Sequence, residues 1–384
     1  MIHRQIRELA SSTRDNVVDL LGSLVRVNSY WGNPEGVNRT GKLVLKSVPS
    51  VLEREFITDD KGVRHHILKG PAPEKKKILL VGHLDTVFPP DSETTSFSIT
   101  NGKITGPGTA DMKGGIVVMV QALRILNELG LLEKIPVQVF LNGDEEVGSF
   151  YSSKILRNIA PKASCALVFE CGGLDNQVVT GRRGVIRFEL TATGQARHAG
   201  VKEGPKASAI VELARMVLAL EELNDHERGI SINVGTVQGG EANNIVPDHA
   251  RATFEFRFRD AQTEREILER IEAIISSVDT PGCRATLETL HRRPCMVQVP
   301  GTEKLVSILK ETASELGQEV DTEERGGASD GNFLSEMGIP VIDGLGPVGD
   351  LDHSAEEYIV EQSLYERIEL TALLLVRLAG LDVD

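Results

Sequence analysis

The sequence predicts an α/β chain: a mostly parallel, mixed sheet with helices on its faces, interrupted by an inserted ferredoxin-like α+β unit. Three observations predict it. The apolar runs 78-ILLV-81, 136-PVQVFLN-142 and 165-CALVFE-170 read as buried strands, with helical patterns among them. From 184 to 292 the order becomes strand, helix, strand, strand, helix, strand, which is the two-layer βαββαβ arrangement. Helix and strand signals of the first kind then resume. The expected domains are therefore 1–180 with 293–384, and an insert at 181–292. A length of 384 residues exceeds one ordinary core and suits two domains.

In chain order, helical periodicity covers 13–29 and 36–53, and 63-VRHHILKG-70 looks like a strand. The turn-rich 71-PAPEKKK-77 leads into the strand 78–82. The glycine-rich 101-NGKITGPGTADMKGG-115 is expected to be loop, followed by a helix over 116–129 that Gly130 closes. The next two strands end at 143-GDEEVGS-149 and at Glu170. The insert reads as strands 184–194, 230–238, 249–258 and 284–292, with helices 206–223 and 262–277. A helix over 302–316, a loop over 325–333, a strand over 340–344 and a helix over 360–379 complete the chain.

Forty per cent apolar and 26% charged residues describe a soluble globular protein. A net charge of −14 argues against nucleic acid as a partner, since such binding needs a basic surface. No stretch is apolar enough to span a bilayer. Charges scattered through the first 21 residues suit a surface helix, not a signal peptide, so the cytoplasm is the expected location. The four cysteines are too few and too scattered for a disulfide framework.

Parallel sheets bind ligands beyond the carboxyl ends of their strands. His83, Asp85, Glu145, Glu146 and Glu170 all follow predicted strand ends, and Asp111 and His353 lie in loops. Two imidazoles (His83, His353) and three carboxylates (Asp111, Glu146, Glu170) suit two divalent ions, Zn²⁺ foremost, with Co²⁺ or Mn²⁺ as alternatives. If Asp111 bridges, each ion has three protein ligands and an open position. Glu145, beside a ligand but not one itself, can then move the proton of an attacking water. Asp85 stands two residues after His83, on the same side of an extended backbone, and can accept the ring N–H and fix its tautomer. Each feature also has a plainer reading. A D-E-E run can be a solvated turn, and an aspartate among glycines can be a turn residue. Glu170, after an apolar strand, is harder to treat as incidental, because a buried carboxylate needs partners.

GHLDTVFP, GPGTADMKGG, NGDEEVGS, GGASDGNF and DHSAEEY occur in this order. Together they resemble the co-catalytic di-zinc aminoacylase/carboxypeptidase family, and its glutamate carboxypeptidase branch most. The resemblance runs from about residue 15 to 380. It implies a zinc-peptidase-like catalytic domain with an inserted lid that often forms a homodimer interface. It implies that His83, Asp111 and Glu170 bind one metal and that Asp111, Glu146 and His353 bind the other. Glu145 would be the general base and Asp85 the orienting carboxylate, and a cis peptide is expected at Asp111–Met112. In the lid, 197-RHAG-200, 243-NNIVP-247, 255-EFRFR-259 and 292-RRP-294 resemble the same branch. By that likeness His198 donates to the oxyanion, and Asn244, Arg257 and Arg293 hold substrate carboxylates. The implied reaction is hydrolysis of the amide to a C-terminal amino acid with a free α-carboxylate, glutamate first. Deacylation of N-acyl amino acids and cleavage of di- or tripeptides are the alternatives.

The likeness has a departure at Met112, where that branch commonly carries an acid; no disturbance of the metals is expected from it. Arg182 and Arg183 read as solvated charges at a domain edge, with a second substrate carboxylate as the other reading. His65, His66, His226, His249 and His291 match no motif and read as structural or exposed. No G-x-S-x-G elbow supports a serine hydrolase. A non-catalytic binding protein on this scaffold would be signalled by loss of a ligand or of Glu145, and none is lost.

Overall fold

The three apolar runs form neighbouring strands of one six-stranded sheet, Val137–Asn142, Lys77–His83 and Ala163–Val168, paired in parallel. This computed structural model describes residues 2–72, 76–92, 96–200, 204 and 206–381. The described chain divides into two compact units. One comprises Met1–Gly181, Val297–Arg325 and Ser329–Asp384, and the other comprises Arg182–Met296 with Gly326–Ala328.

In the larger unit the sheet order is Glu53–Thr58, Arg64–Lys69, Val137–Asn142, Lys77–His83, Ala163–Val168, Val341–Ile342. The first two strands pair antiparallel with each other and the second with the third, so a mostly parallel sheet carries an antiparallel edge. Its central strands are apolar without alternation because both faces are covered. One cover is the helix Gly114–Glu128, buried almost all round. It can lie so close because it begins with glycine: a Cβ on Gly115 would meet the Phe169 carbonyl oxygen at 1.7 Å. The helix Glu361–Leu378 joins the same core through Leu364, Ile368, Leu370 and Leu374.

Several boundaries differ from the sequence reading. The helix expected over 36–53 is Pro34–Ser47, capped by Asn33, whose side chain accepts the Gly36 amide. Pro49 forces Val48 into the extended region and ends the helix; the strand Glu53–Thr58 follows. The surface helix expected within the first 21 residues is broken at Thr13, into Ile2–Ser12 and Arg14–Val25, so the helix expected over 13–29 ends at Val25. The strand expected to 170 stops at Val168. The loop expected over 101–115 contains the strand Lys103–Thr105, which pairs with Ser98–Thr100 around Asn101 and Gly102, both at positive φ. That is the Asn-Gly hairpin turn, legible in the sequence as 101-NG-102. This hairpin continues onto Tyr358–Val360 and Gly349–Asp350. The helices Ser152–Ile159 and Gly331–Glu336 and the strand Val178–Arg182 were not anticipated.

The smaller unit is the βαββαβ arrangement. Its four antiparallel strands lie in the order Ser231–Gly239, His249–Phe258, Gly184–Thr193, Arg284–Arg293. The helices Ala209–Glu221 and Ala261–Ser276 are capped by Ser208 and Asp260, whose side chains accept first-turn amides. Alternation along His249–Phe258 buries Ala250, Ala252, Phe254, Phe256 and Phe258 against these helices. The four cysteines are unbridged and buried. Among the described residues, no helix is long and apolar enough to cross a membrane.

Candidate metal centre

Parallel pairing puts His83 level with Asn142 and Val81 level with Val168. The residues that follow each strand, Asp85, Glu145, Glu146 and Glu170, therefore emerge along one edge of the sheet. Asp111 enters from the turn Thr109–Lys113, and His353 from the loop before Tyr358–Val360. The peptide Asp111–Met112 is cis.

Asp111 sits between the two imidazoles. Its Oδ1 lies 2.8 Å from His83 Nε2 and its Oδ2 lies 3.0 Å from His353 Nε2. On the first side, Glu170 Oε1 is 3.6 Å from His83 Nε2. On the second, Glu146 Oε2 is 3.2 Å from His353 Nε2. His83, Asp111 and Glu170 each offer a ligand atom within 4.8 Å of one another, and so do Asp111, Asp352 and His353. Asp352 was not singled out from the sequence, although its place beside His353 in 352-DHSAEEY-358 was a usable signal.

The charges explain why the cluster wants cations. Burial pushes the pKa of Glu170 up to about 8, and the Asp111 charge adds to that. Burial and then Asp111 raise Glu146 well above the carboxylate range. Burial would raise Asp111 too, but hydrogen bonds from His353 and His83 hold it below its usual value. Burial disfavours the charged His83 ring, yet Glu170, Asp111 and Asp85 outweigh it and raise its pKa well above the usual value. His353 is raised to about 11, chiefly by Asp111 and Glu146. Crowded buried carboxylates of this kind are relieved by a cation. Glu146 Oε1 is buried with no hydrogen-bond partner. The oxygen and imidazole donor set suits zinc-like divalent ions, so the residues fit the group.

Asp85 meets the His83 ring through both its backbone and its side chain. The nearest acceptor for His83 Nδ1 is the backbone carbonyl of Asp85 at 3.0 Å, while its carboxylate Oδ1 is 3.5 Å away. A carbonyl only accepts, so Nδ1 carries the proton and Nε2 faces Asp111. The Asp85 carboxylate also accepts the amides of Glu145 (3.2 Å) and Glu146 (3.0 Å). It is fully buried and pins the acidic turn. Met112, the departure from the branch, is also fully buried, and its sulfur accepts the His83 amide at 3.2 Å.

The remaining candidates belong to the smaller unit. His198 is exposed, and its Nδ1 accepts the Gly200 amide at 3.1 Å. It pairs with Ile245 across a short ladder, and the Ala199 amide donates to the Asn244 carbonyl at 2.8 Å, so His198 and Asn244 are neighbours. Arg257 and Arg293 both pair with Val185, on strands either side of it. Arg257 donates from Nε to Glu255 (2.7 Å) and from Nη1 to the Gly326 carbonyl (3.0 Å). Arg182 is buried and donates to the Gly327 carbonyl at 3.1 Å, which corrects its reading as a solvated charge. His65 and His66 are buried, the first stacked on Tyr151, whereas His226 and His249 are exposed.

Residues 79–377 match the description Peptidase family M20/M25/M40. The chain belongs to that family. It is similar to carboxypeptidase G2 of Pseudomonas sp. (strain RS-16), at 28% identity over 384 residues, covering 97% of this chain and 92% of that one. Aminopeptidase PepT of Bacillus cereus superposes with a TM-score of 0.75 at 24% identity, over 94% of this chain and 98% of that one. The YXEP protein of Bacillus subtilis, described as a dinuclear metal binding peptidase of the M20 family, superposes with a TM-score of 0.70 at 16% identity, over 97% and 100%. At these identities the two solved structures establish the fold. This M20 protein is a metal-dependent peptidase or amidohydrolase.

Proposed function

We propose that this protein is a two-metal exopeptidase that hydrolyses the amide bond to a C-terminal amino acid with a free α-carboxylate, with glutamate as the released residue. The observation that carries the two-metal reading is the Asp111 carboxylate, one oxygen 2.8 Å from His83 and the other 3.0 Å from His353. We assign His83, Asp111 and Glu170 to one ion and Asp111, Glu146 and His353 to the other, with Zn²⁺ foremost and Asp352 beside the second. When bound, two such ions lower the pKa of a water and polarise an amide carbonyl.

The chain's own residues supply the rest. Glu145, buried and held by its amide on Asp85, takes the proton of the attacking water and delivers it to the leaving amine. Asp85 fixes the turn that carries both glutamates. We assign the oxyanion contact to His198 and the substrate carboxylates to Asn244, Arg257 and Arg293; a guanidinium fork matches a carboxylate bidentately. The larger unit is the catalytic domain, and the smaller is a lid through which two copies pair as a homodimer. The similarity to carboxypeptidase G2 supports release of a C-terminal residue, and glutamate rests on the resemblance of the lid motifs to the glutamate carboxypeptidase branch. Deacylation of another N-acyl amino acid is the second reading.

The test is free amino-acid release from a panel of N-acyl amino acids and dipeptides, with metal-loaded and chelated protein side by side. Chelator-sensitive release led by C-terminal glutamate is expected. Release led by another amino acid overturns the substrate, and release indifferent to chelation overturns the mechanism.

A further inference from the structure

Glu357 follows His353 by four positions, in 352-DHSAEEY-358. It is fully buried, yet it serves a different loop. Its Oε1 accepts the amides of Ala110 (2.7 Å) and Asp111 (3.0 Å), and its Oε2 accepts the amide of Gly108 (2.9 Å). The turn needs an outside acceptor. Gly108, Ala110 and Asp111 lie at the start of the turn Thr109–Lys113, where backbone amides have no carbonyl one turn earlier to bond. From elsewhere in the turn, Lys113, also buried, donates to the carbonyls of Val27 (3.1 Å) and Pro107 (3.3 Å). The strand Tyr358–Val360 pairs with Lys103–Thr105 directly beside Glu357, which delivers the carboxylate to the turn.

We infer that Glu357 is a positioning residue for the metal centre, which holds the Asp111 carboxylate in register between His83 and its own segment's His353. One of the three amides is that of Asp111 itself, so the bond sets where that residue's side chain begins. The same five-residue segment carries His353 at one end and the clamp at the other. One short segment therefore carries both the second imidazole and the clamp on the carboxylate that faces it. The inference rests on the reading of Asp111 as the shared ligand.

The test is titration of metal-free protein with Zn²⁺, and with Co²⁺ followed by its visible absorption. The variants are Glu357→Gln, Glu357→Asp, Asp111→Asn and the exposed neighbour Glu356→Gln. Glutamine replaces one accepting oxygen by a donor that faces an amide donor. Aspartate keeps the charge and withdraws both oxygens by one methylene, so it carries the comparison if the glutamine variant does not fold. Partners one step out from a metal's ligands typically contribute about 10- to 100-fold in affinity. We expect a loss of that size in both Glu357 variants and none in Glu356→Gln. Excess metal should restore kcat with KM unchanged. Wild-type affinity in the Glu357 variants, or a kcat loss that persists at saturating metal, overturns the inference while leaving the centre intact. Wild-type affinity in Asp111→Asn overturns the ligand reading itself.

Discussion

Replacing Asp85 by asparagine preserves the side chain's volume and removes one of its two accepting oxygens. In the structure those oxygens take the Glu146 amide at 3.0 Å and the Glu145 amide at 3.2 Å. Asparagine can serve one; the other then faces an NH₂ group, donor against donor. A hydrogen bond to a charged group contributes about 1.5–3 kcal/mol, so the folded protein should lose about that much. At this size of chain, that lowers Tm by a few degrees. The larger effect is chemical. Glu145 belongs to the turn that Asp85 pins through two amides, and a misplacement of about 1 Å can cost about 100-fold in rate. The expected outcome is kcat lowered about 100-fold, KM little changed, and the ion on the His83 side retained, because the His83 ring N–H is served by the Asp85 carbonyl, which the substitution keeps. Steady-state kinetics with elemental analysis of the purified variant tests this. Loss of the His83-side ion with normal turnover per remaining active site would refute the reasoning and return the Asp85 carboxylate to the imidazole.

Glu145→Gln should keep two ions by elemental analysis and lose most of kcat; retained turnover removes Glu145 from the base role. His353→Ala should lower metal content by one ion, whereas Asp352→Asn should leave stoichiometry at two and weaken only the looser ion in a chelator competition. Gly115→Ala would drive a methyl into the Phe169 carbonyl at 1.7 Å, so the helix must move off the strand. A loss of about 1–3 kcal/mol in denaturant unfolding is expected, as for other overpacked sites, and unchanged stability would mean the helix start shifts freely. Arg293→Ala should raise KM for substrates with a free α-carboxylate and leave amidated ones unaffected.

The candidate cluster was legible because parallel strands bury both faces, so a carboxylate just past an apolar run, as at Glu170, stands out from its surroundings. The ferredoxin-like order was legible because alternation along strands such as His249–Phe258 marks one buried face. What escaped reading was backbone business. The partners of the Asp85 and Glu357 carboxylates are amides, which every residue carries, so no residue type announces them. The strand Glu53–Thr58 hid because it is exposed along its whole length and has no alternation to read. Asp352 was passed over because an exposed acid among acids carries no desolvation signal. The helix that overran Pro49 reflects periodicity given more weight than the restriction a proline places on its predecessor.

His353 meets Asp111 at 3.0 Å across 242 positions of chain. An ion shared by these two side chains would act as a reversible cross-link between distant parts of the polypeptide, closing a loop larger than any disulfide of a small domain spans. Anything that binds the folded chain alone stabilises it in proportion to the logarithm of its free concentration. Metal supply would then set the protein's resistance to unfolding and proteolysis as well as its catalytic rate, and starvation for the ion would shorten its lifetime before any substrate was missed.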